Sequence, residues 1–342
     1  MRAHKCDEAC ENTHNGARMR RLGDKLDALP AGWMARRTAR GIDGDPRMTD
    51  STTKTKTTGE TGAVAAGQSQ RFPAGPLSFG RRKNLEVRLA STEEEVTAAQ
   101  ALRYHVFYEE MSAEADAETL ATKLDADRFD TFCDHLLVID HNLVPDGQEE
   151  TPPLDAVVGC YRLLRQDVAE ANGGFYTASE FEIAPLLKRA GPDVRFLELG
   201  RSCVLEPYRN KPTVELLWHG IMHYVAHYDM DVMLGCASFE TTDPSVLDMP
   251  LSYLYHEHKT PEEWYVRARA DQYVEMNRLR KDDVELRPAL RAMPPMIKGY
   301  IRAGCFIGDG AVVDKQFGTT DVLILFPVSQ INERYSSKFK KA

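Results

Sequence analysis

FLELGRSCVLEPYRNKPTVELLWHGIMHYVAHY, residues 196–228, passes from strand to helix within a few residues. Phe196, Leu197, Leu199, Val204 and Leu205 are apolar, with Glu198 and Arg201 set among them, which reads as a strand. Pro207 stops it, and Arg209-Asn210-Lys211 form a tight polar turn. Pro212 suits the first helical position, with Lys211 or Thr213 marking the start. Val214, Leu217, Trp218, Ile221, Met222 and Val225 then recur at helical spacing and predict one buried face. A strand that turns directly into a helix leaves the first helical N–H groups pointing outward, where they suit a phosphate. Glu198 and Arg201 would face opposite sides of a regular strand. A bulge near Gly200 would bring both toward one cleft; the alternative is an ordinary charge pair at a strand end.

Outward from this stretch, the pattern is mixed α/β (α+β), with helices flanking a central sheet. Toward the N-terminus, Leu85–Leu89 alternates as a strand. Ser91 and Glu94 form a capping box that opens a helix running to Glu110 and burying Val96, Ala99, Leu102, Val106 and Phe107. Residues 116–131 are an acidic connector. HLLVID at 135–140 and AVVGCYRLLR at 156–165 are strands, separated by a polar loop from His141. Residues 166–194 are a mixed loop with a short helix near Pro185–Arg189. Toward the C-terminus, VMLGCASF at 232–239 is a strand. Beyond it the pattern gives a helix at Leu251–His258, a strand at Trp264–Ala268, a helix at Pro294–Cys305 and a strand at Asp321–Pro327.

The chain has 342 residues and a net charge of −9. Residues 1–83 carry 16 Lys and Arg against 9 Asp and Glu, which leaves 27 against 43 for the rest. The folded part therefore repels phosphate backbones, and a nucleic-acid partner is not expected. No apolar run is long enough to span a membrane, and the N-terminus lacks a secretory apolar core. The 7 cysteines follow no framework spacing, which suits a reducing cytoplasm. Residues 1–83 read as a disordered basic extension, with Met48 as an alternative start, and residues 84–342 as the folded domain (core 84–240, extension 241–342). No metal site is expected. His4, Cys6, Cys10 and His14 are loosely spaced, and His219, His223 and His227 lie on an ordinary helix face. Cys160, Cys203, Cys236 and Trp218 read as packing residues.

The order LRYHVF, DADRFD, VVGCYRLL and LELGR resembles the acyl-homoserine-lactone synthases, a branch of the GNAT N-acyltransferases. Arg103 and Phe107 match that family's Arg-x-x-x-Phe helix, Asp127 and Asp130 its acidic pair, Arg162 its strand arginine, and Glu198 with Arg201 its Glu-x-x-Arg strand. The tryptophan expected after Phe107 is absent; Met111 and Ser112 stand there. RSCVLEPYRNKPTVELLWHGI, GCASFETTDP and PPMIKGYIRAGCFIGDGAVVDKQFGTTDVLILF are more similar to the L-ornithine N-alpha-acyltransferases of ornithine-lipid synthesis, over nearly all of residues 85–335.

That resemblance implies transfer of a 3-hydroxyacyl group from an acyl carrier protein thioester to the α-amine of L-ornithine, with no bound cofactor. A homoserine-lactone synthase, or a GNAT-like binding protein without activity, are the alternatives. The reaction needs a base for the ammonium and a donor for the oxyanion. Glu198 is the expected base, and a free N–H near Ser202–Val204 the expected oxyanion donor. Arg209, Asn210, Lys211 and Thr213 are the expected contact for the pantetheine phosphate and the acidic carrier protein, with Lys188 and Arg189 extending the patch. Asp127 and Asp130 either hold a cationic acceptor or pair with Arg103 and Arg162 as scaffold. Peripheral contact with the inner membrane surface is left open.

Overall fold

A short hairpin starts the sheet: β1 (Ser78–Arg82) pairs antiparallel with β2 (Leu85–Leu89). The computed structural model describes Phe72, residues 77–148 and residues 153–331, all within the unit Val64–Asn332. Order was expected to begin near Asn84, so β1 is a correction. Only one large apolar residue marks SFGRR, and its pairing with β2 makes it a strand. The remainder of the basic extension lies almost wholly outside the described residues.

Helix α1 (Glu93–Tyr104) starts one residue later than the Ser91–Glu94 box predicts. Thr92 is the cap and accepts from the Glu95 N–H, while the Glu95 carboxylate returns to the Ser91 N–H at 2.6 Å. A π-helical turn, His105–Glu110, continues α1; such turns recur at functional sites. The acidic connector holds α2 (Ala117–Thr122) and a 3₁₀ turn, Arg128–Thr131, closed by a capping box between Asp127 and Asp130. Strands β3 (Asp134–Asp140) and β4 (Val157–Arg165) follow. The mixed loop contains α3 (Gln166–Ala171), a 3₁₀ turn at Tyr176–Ser179 and α4 (Ile183–Ala190).

Next come β5 (Phe196–Val204), α5 (Lys211–His227) and β6 (Val232–Phe239). Val214 departs from the expected buried face at 47% exposed, while Leu217, Ile221, Met222 and Val225 are buried. The chain continues through α6 (Asp248–His258), α7 (Leu286–Ala292), α8 (Pro295–Ala303), β7 (Phe306–Asp314) and β8 (Thr319–Pro327). Trp264–Ala268 is not a strand: Glu262–Trp264 is a 3₁₀ turn, and Arg267 and Ala268 form only isolated bridges. Strand β7 escaped the sequence pattern because its glycines break the apolar alternation.

All eight strands form one sheet, in the order β1-β2-β3-β4-β5-β6-β8-β7. The C-terminal extension therefore does not stand apart: β8 pairs with β6 along its whole length, and β7 closes the edge. Helix α5 is the crossover that makes β5 and β6 parallel. Their pairing ends early, at Glu198 opposite Leu234. Just beyond, Gly235 presses on β5: a Cβ there would lie 2.2 Å from the Leu199 carbonyl oxygen. From that contact the two strands diverge into a fork.

Candidate active site

The fork has two unlike faces, because side chains alternate along a strand. On the face covered by α5 and α8, Leu199, Trp218, Met233, Tyr300, Ile324 and Phe326 line an apolar slot that reaches Cys236 at the fork. Trp218, expected in the core, instead borders this slot with its ring edge-on to Tyr300 and Phe326. The opposite face, covered by the segment before α4 and by α1, carries the charged residues.

Arg201 sits in a bulge of β5. It shares with Ser202 the place opposite Tyr161 and adopts φ +50°. The bulge expected near Gly200 falls on the next residue, a side chain that must be held there against backbone strain. Ion pairs and aromatic rings hold it. Arg201 Nε bonds Asp125 at 3.1 Å and Nη2 bonds Asp127 at 3.2 Å. Its guanidinium lies 4.8 Å from the Tyr176 ring centroid and 4.9 Å from that of Phe317. Phe107 supports this stack edge-on from the π turn, with centroids 5.7 Å apart.

The remaining charges close a ring. Arg103 Nε meets Asp125 at 2.7 Å and its Nη2 meets Asp130 at 2.7 Å. Arg162 Nη1 meets Asp127 at 2.7 Å and Asp130 at 3.1 Å. Each aspartate bridges two arginines, so the ring is neutral and ties α1, the connector, β4 and the β5 bulge together. Burial alone would raise the Asp130 carboxyl, but the Arg103 and Arg162 charges outweigh it and hold the group well below the usual carboxylate range. Asp127 and Asp130 therefore face arginines. Asp125, which completes the ring, was missed; its signal was a third acid two residues before Asp127.

Glu198 lies at the fork on the same face, 4% exposed. Its carboxylate accepts from the Tyr176 N–H at 2.9 Å, from the Thr177 N–H at 2.6 Å and from the Thr177 hydroxyl. Burial raises its pKa, partly opposed by these donors. Arg201 is not its partner. Both oxygens face backbone N–H groups, so Glu198 pins the Tyr176–Ser179 turn to β5, and the turn carries Tyr176 and Glu180 into the site.

The expected phosphate turn is also partly committed. Asn210 is the true N-cap of α5, accepting from the Thr213 N–H at 3.2 Å, and Pro212 offers no N–H. Arg209 pairs with Glu110 and donates to the Val204 carbonyl at 2.8 Å. Lys211, 62% exposed at its side chain, lies 3.4 Å from Glu215. Of the expected extension of the patch, Arg189 donates to the Tyr265 carbonyl at 2.6 Å. Val204 and Cys203 belong to the ladder with β4, which leaves Ser202, in the bulge, as the residue of that stretch outside the register.

Two acids that sequence reasoning missed complete this face. Glu180 leaves the pinned turn, and Asp321 points from β8 beside Ser238 of β6. Between them lies Cys236, whose thiol donates to Glu180 at 3.2 Å. Burial, then the Asp321 charge, pushes Glu180 up to about 7. Burial also pushes Asp321 up to about 6. These three are the one cluster with ligand-like spacing among the described residues. On α5 the His219 ring meets the His223 ring edge-on, and His227 meets Tyr228 edge-on.

Residues 102–219 match the family described as an acetyltransferase (GNAT) domain. The chain is 50% identical over 264 residues to an L-ornithine N(alpha)-acyltransferase of Rhizobium meliloti (strain 1021), covering 77% of this chain and 87% of that one. It is 47% identical over 264 residues to one of Brucella abortus (strain 2308), covering 77% and 91%. Among solved structures it is similar to FeeM, an N-acyl amino acid synthase from uncultured soil microbes, at 11% identity and a TM-score of 0.41, over 74% of this chain and 97% of that one.

Proposed function

Because this chain belongs to the L-ornithine N(alpha)-acyltransferases, we propose that it moves a 3-hydroxyacyl group from acyl carrier protein to the α-amine of L-ornithine, giving lyso-ornithine lipid. The observation that carries the reading is the two-faced fork between β5 and β6. Its apolar side, lined by Trp218, Tyr300 and Phe326, suits an acyl chain. Its other side gathers acids, which suits a cationic amine. A thioester laid between them meets β5 where its backbone has left β6 and its N–H groups are no longer spent on that strand.

The amine nitrogen attacks the thioester carbonyl after losing a proton to water, with Glu198 as the base that takes it up. The tetrahedral oxyanion takes a backbone N–H of β5 near the bulge, the carbon–sulfur bond breaks, and the pantetheine thiolate is reprotonated. The neutral ring around Arg201 keeps the bulge in place throughout. The carrier protein is acidic, so Arg209 and Lys211 form its landing point on an acidic body. Among the described residues no helix is long and apolar enough to cross a membrane. We propose that the reaction takes place in the cytoplasm, with release of product at the inner membrane surface.

The test is direct. Purified protein with a 3-hydroxyacyl carrier thioester and a panel of amino acids, analysed by mass spectrometry, should give N-acyl-ornithine and free carrier thiol. Acylation of other acceptors with ornithine left untouched would refute the assignment.

A further inference from the structure

We infer that Glu180, Cys236 and Asp321 form the pocket for the side-chain ammonium of the acceptor, so that the site selects an α-amino acid bearing a second ammonium. The inference rests on the proposed amine acylation and adds the part of the site that chooses the acceptor.

One ligand atom from each of the three residues lies within 4.8 Å of the others. Glu180 is 8% exposed and Asp321 6%. Asp321 Oδ1 is buried and has no hydrogen-bond partner among the described residues, while Ser238 and Thr319 hydrogen-bond to the carboxyl group. A buried polar atom is seldom left without a partner. Neither carboxylate forms an ion pair among the described residues; Arg201, whose charge reaches both, is spent on Asp125 and Asp127. The fold thus brings two carboxylates out of water without a cation, an arrangement that is costly until a cation arrives. Their raised pKa values report the same strain.

The size of the pocket suits an ammonium. For three atoms 4.8 Å apart the central point lies about 2.8 Å from each, and a nitrogen slightly above their plane sits at the length of an N–H···O bond. An ammonium can donate to both carboxylates, with the Cys236 sulfur as a weak third acceptor. Zinc would require contacts of about 2.0–2.3 Å and a fourth ligand. The location also fits: Cys236 follows Gly235, the residue pressed against Leu199 at the point of divergence. An acceptor whose α-amine reaches the thioester there extends its side chain into the pocket.

The experiment compares L-ornithine with L-norvaline, the same side chain without the ammonium, using the full-length protein and one carrier thioester. The wild-type ratio of kcat/KM, ornithine over norvaline, should exceed about 10², because a site built to bond a polar group rejects the analogue that lacks it. In Glu180→Gln and Asp321→Asn the ratio should fall at least about ten-fold. A residue that only supports the fold would lower both substrates together and leave the ratio unchanged. If either variant fails to fold by circular dichroism, wild-type protein with L-lysine and L-2,4-diaminobutyrate gives a second measurement. Moving the ammonium by one methylene should cost at least about ten-fold. An unchanged ratio in the folded variants, a wild-type ratio near one, or stoichiometric zinc that is lost in Asp321→Asn would each overturn the pocket while leaving ornithine acylation standing. Failure of the wild type to acylate ornithine at all would overturn the reaction itself.

Discussion

Replacing Glu198 by glutamine keeps the volume of the side chain and removes its charge. In the native site one oxygen faces the Tyr176 N–H and the other the Thr177 N–H. An amide has one oxygen and one NH₂, so whichever way it flips, a nitrogen confronts a backbone N–H. Hydrogen bonds to a charged acceptor contribute about 1.5–3 kcal/mol, and orphaning a buried donor costs about 1–3 kcal/mol. The expected destabilisation is therefore about 2–4 kcal/mol, or a fall in Tm of roughly 5–15 °C for a domain of this size. Denaturant unfolding of both proteins, read alongside turnover, checks it. Since the turn carries Glu180, the KM for the acceptor should also rise. With the base removed, turnover should fall about 10²-fold or more and recover in part as free amine accumulates at high pH. A Glu198→Gln protein as stable as wild type would refute the anchoring role, and one with near-normal turnover at neutral pH would remove Glu198 as the base.

The charge reversal Arg209→Glu with Lys211→Glu should raise the KM for the carrier thioester and flatten its dependence on salt, measured by initial rates from low to moderate ionic strength. Gly235→Ala should separate β5 from β6 at the fork, because its Cβ would meet the Leu199 carbonyl at 2.2 Å; a loss of about 1–3 kcal/mol by denaturant unfolding and a larger loss of kcat are expected. The stability of the ligand-free protein should fall as pH rises from about 5 to 7. Glu180 rises from an ordinary 4.5 to about 7 in the fold, so across that window the folded state holds a proton that the unfolded state has released. The contribution is at most about 3 kcal/mol, at 1.36 kcal/mol per unit, and Glu180→Gln should flatten the Tm–pH curve there. A slope unchanged by that substitution would remove Glu180 as its source.

The framework of the fold was legible in residues 196–239. Apolar spacing that changes from period two to helical period, with prolines at the joints, marks β5, α5 and β6 wherever the chain lies in space. The Arg and Asp positions of the charge ring were legible as a spaced set, because each lies on an element with a clear signal. Their partners were not. Glu198 was read as the base since it is a carboxylate on a central strand; its donors, Tyr176 and Thr177, come from a turn whose position depends on how α3 and α4 pack. Helix α5 starts at Lys211, one of the two entry residues the pattern offered, and Asn210 caps it because its side chain reaches the Thr213 N–H. Strand β7 was hidden by its glycines, and with it the fact that the C-terminal segment extends the central sheet. Only that extension brings Asp321 beside Glu180 and Cys236. Periodicity records local burial, which the sequence carries residue by residue. Which charges meet, and which are left without a partner, depends on strand order across the sheet, and that is decided by the packing of the whole chain.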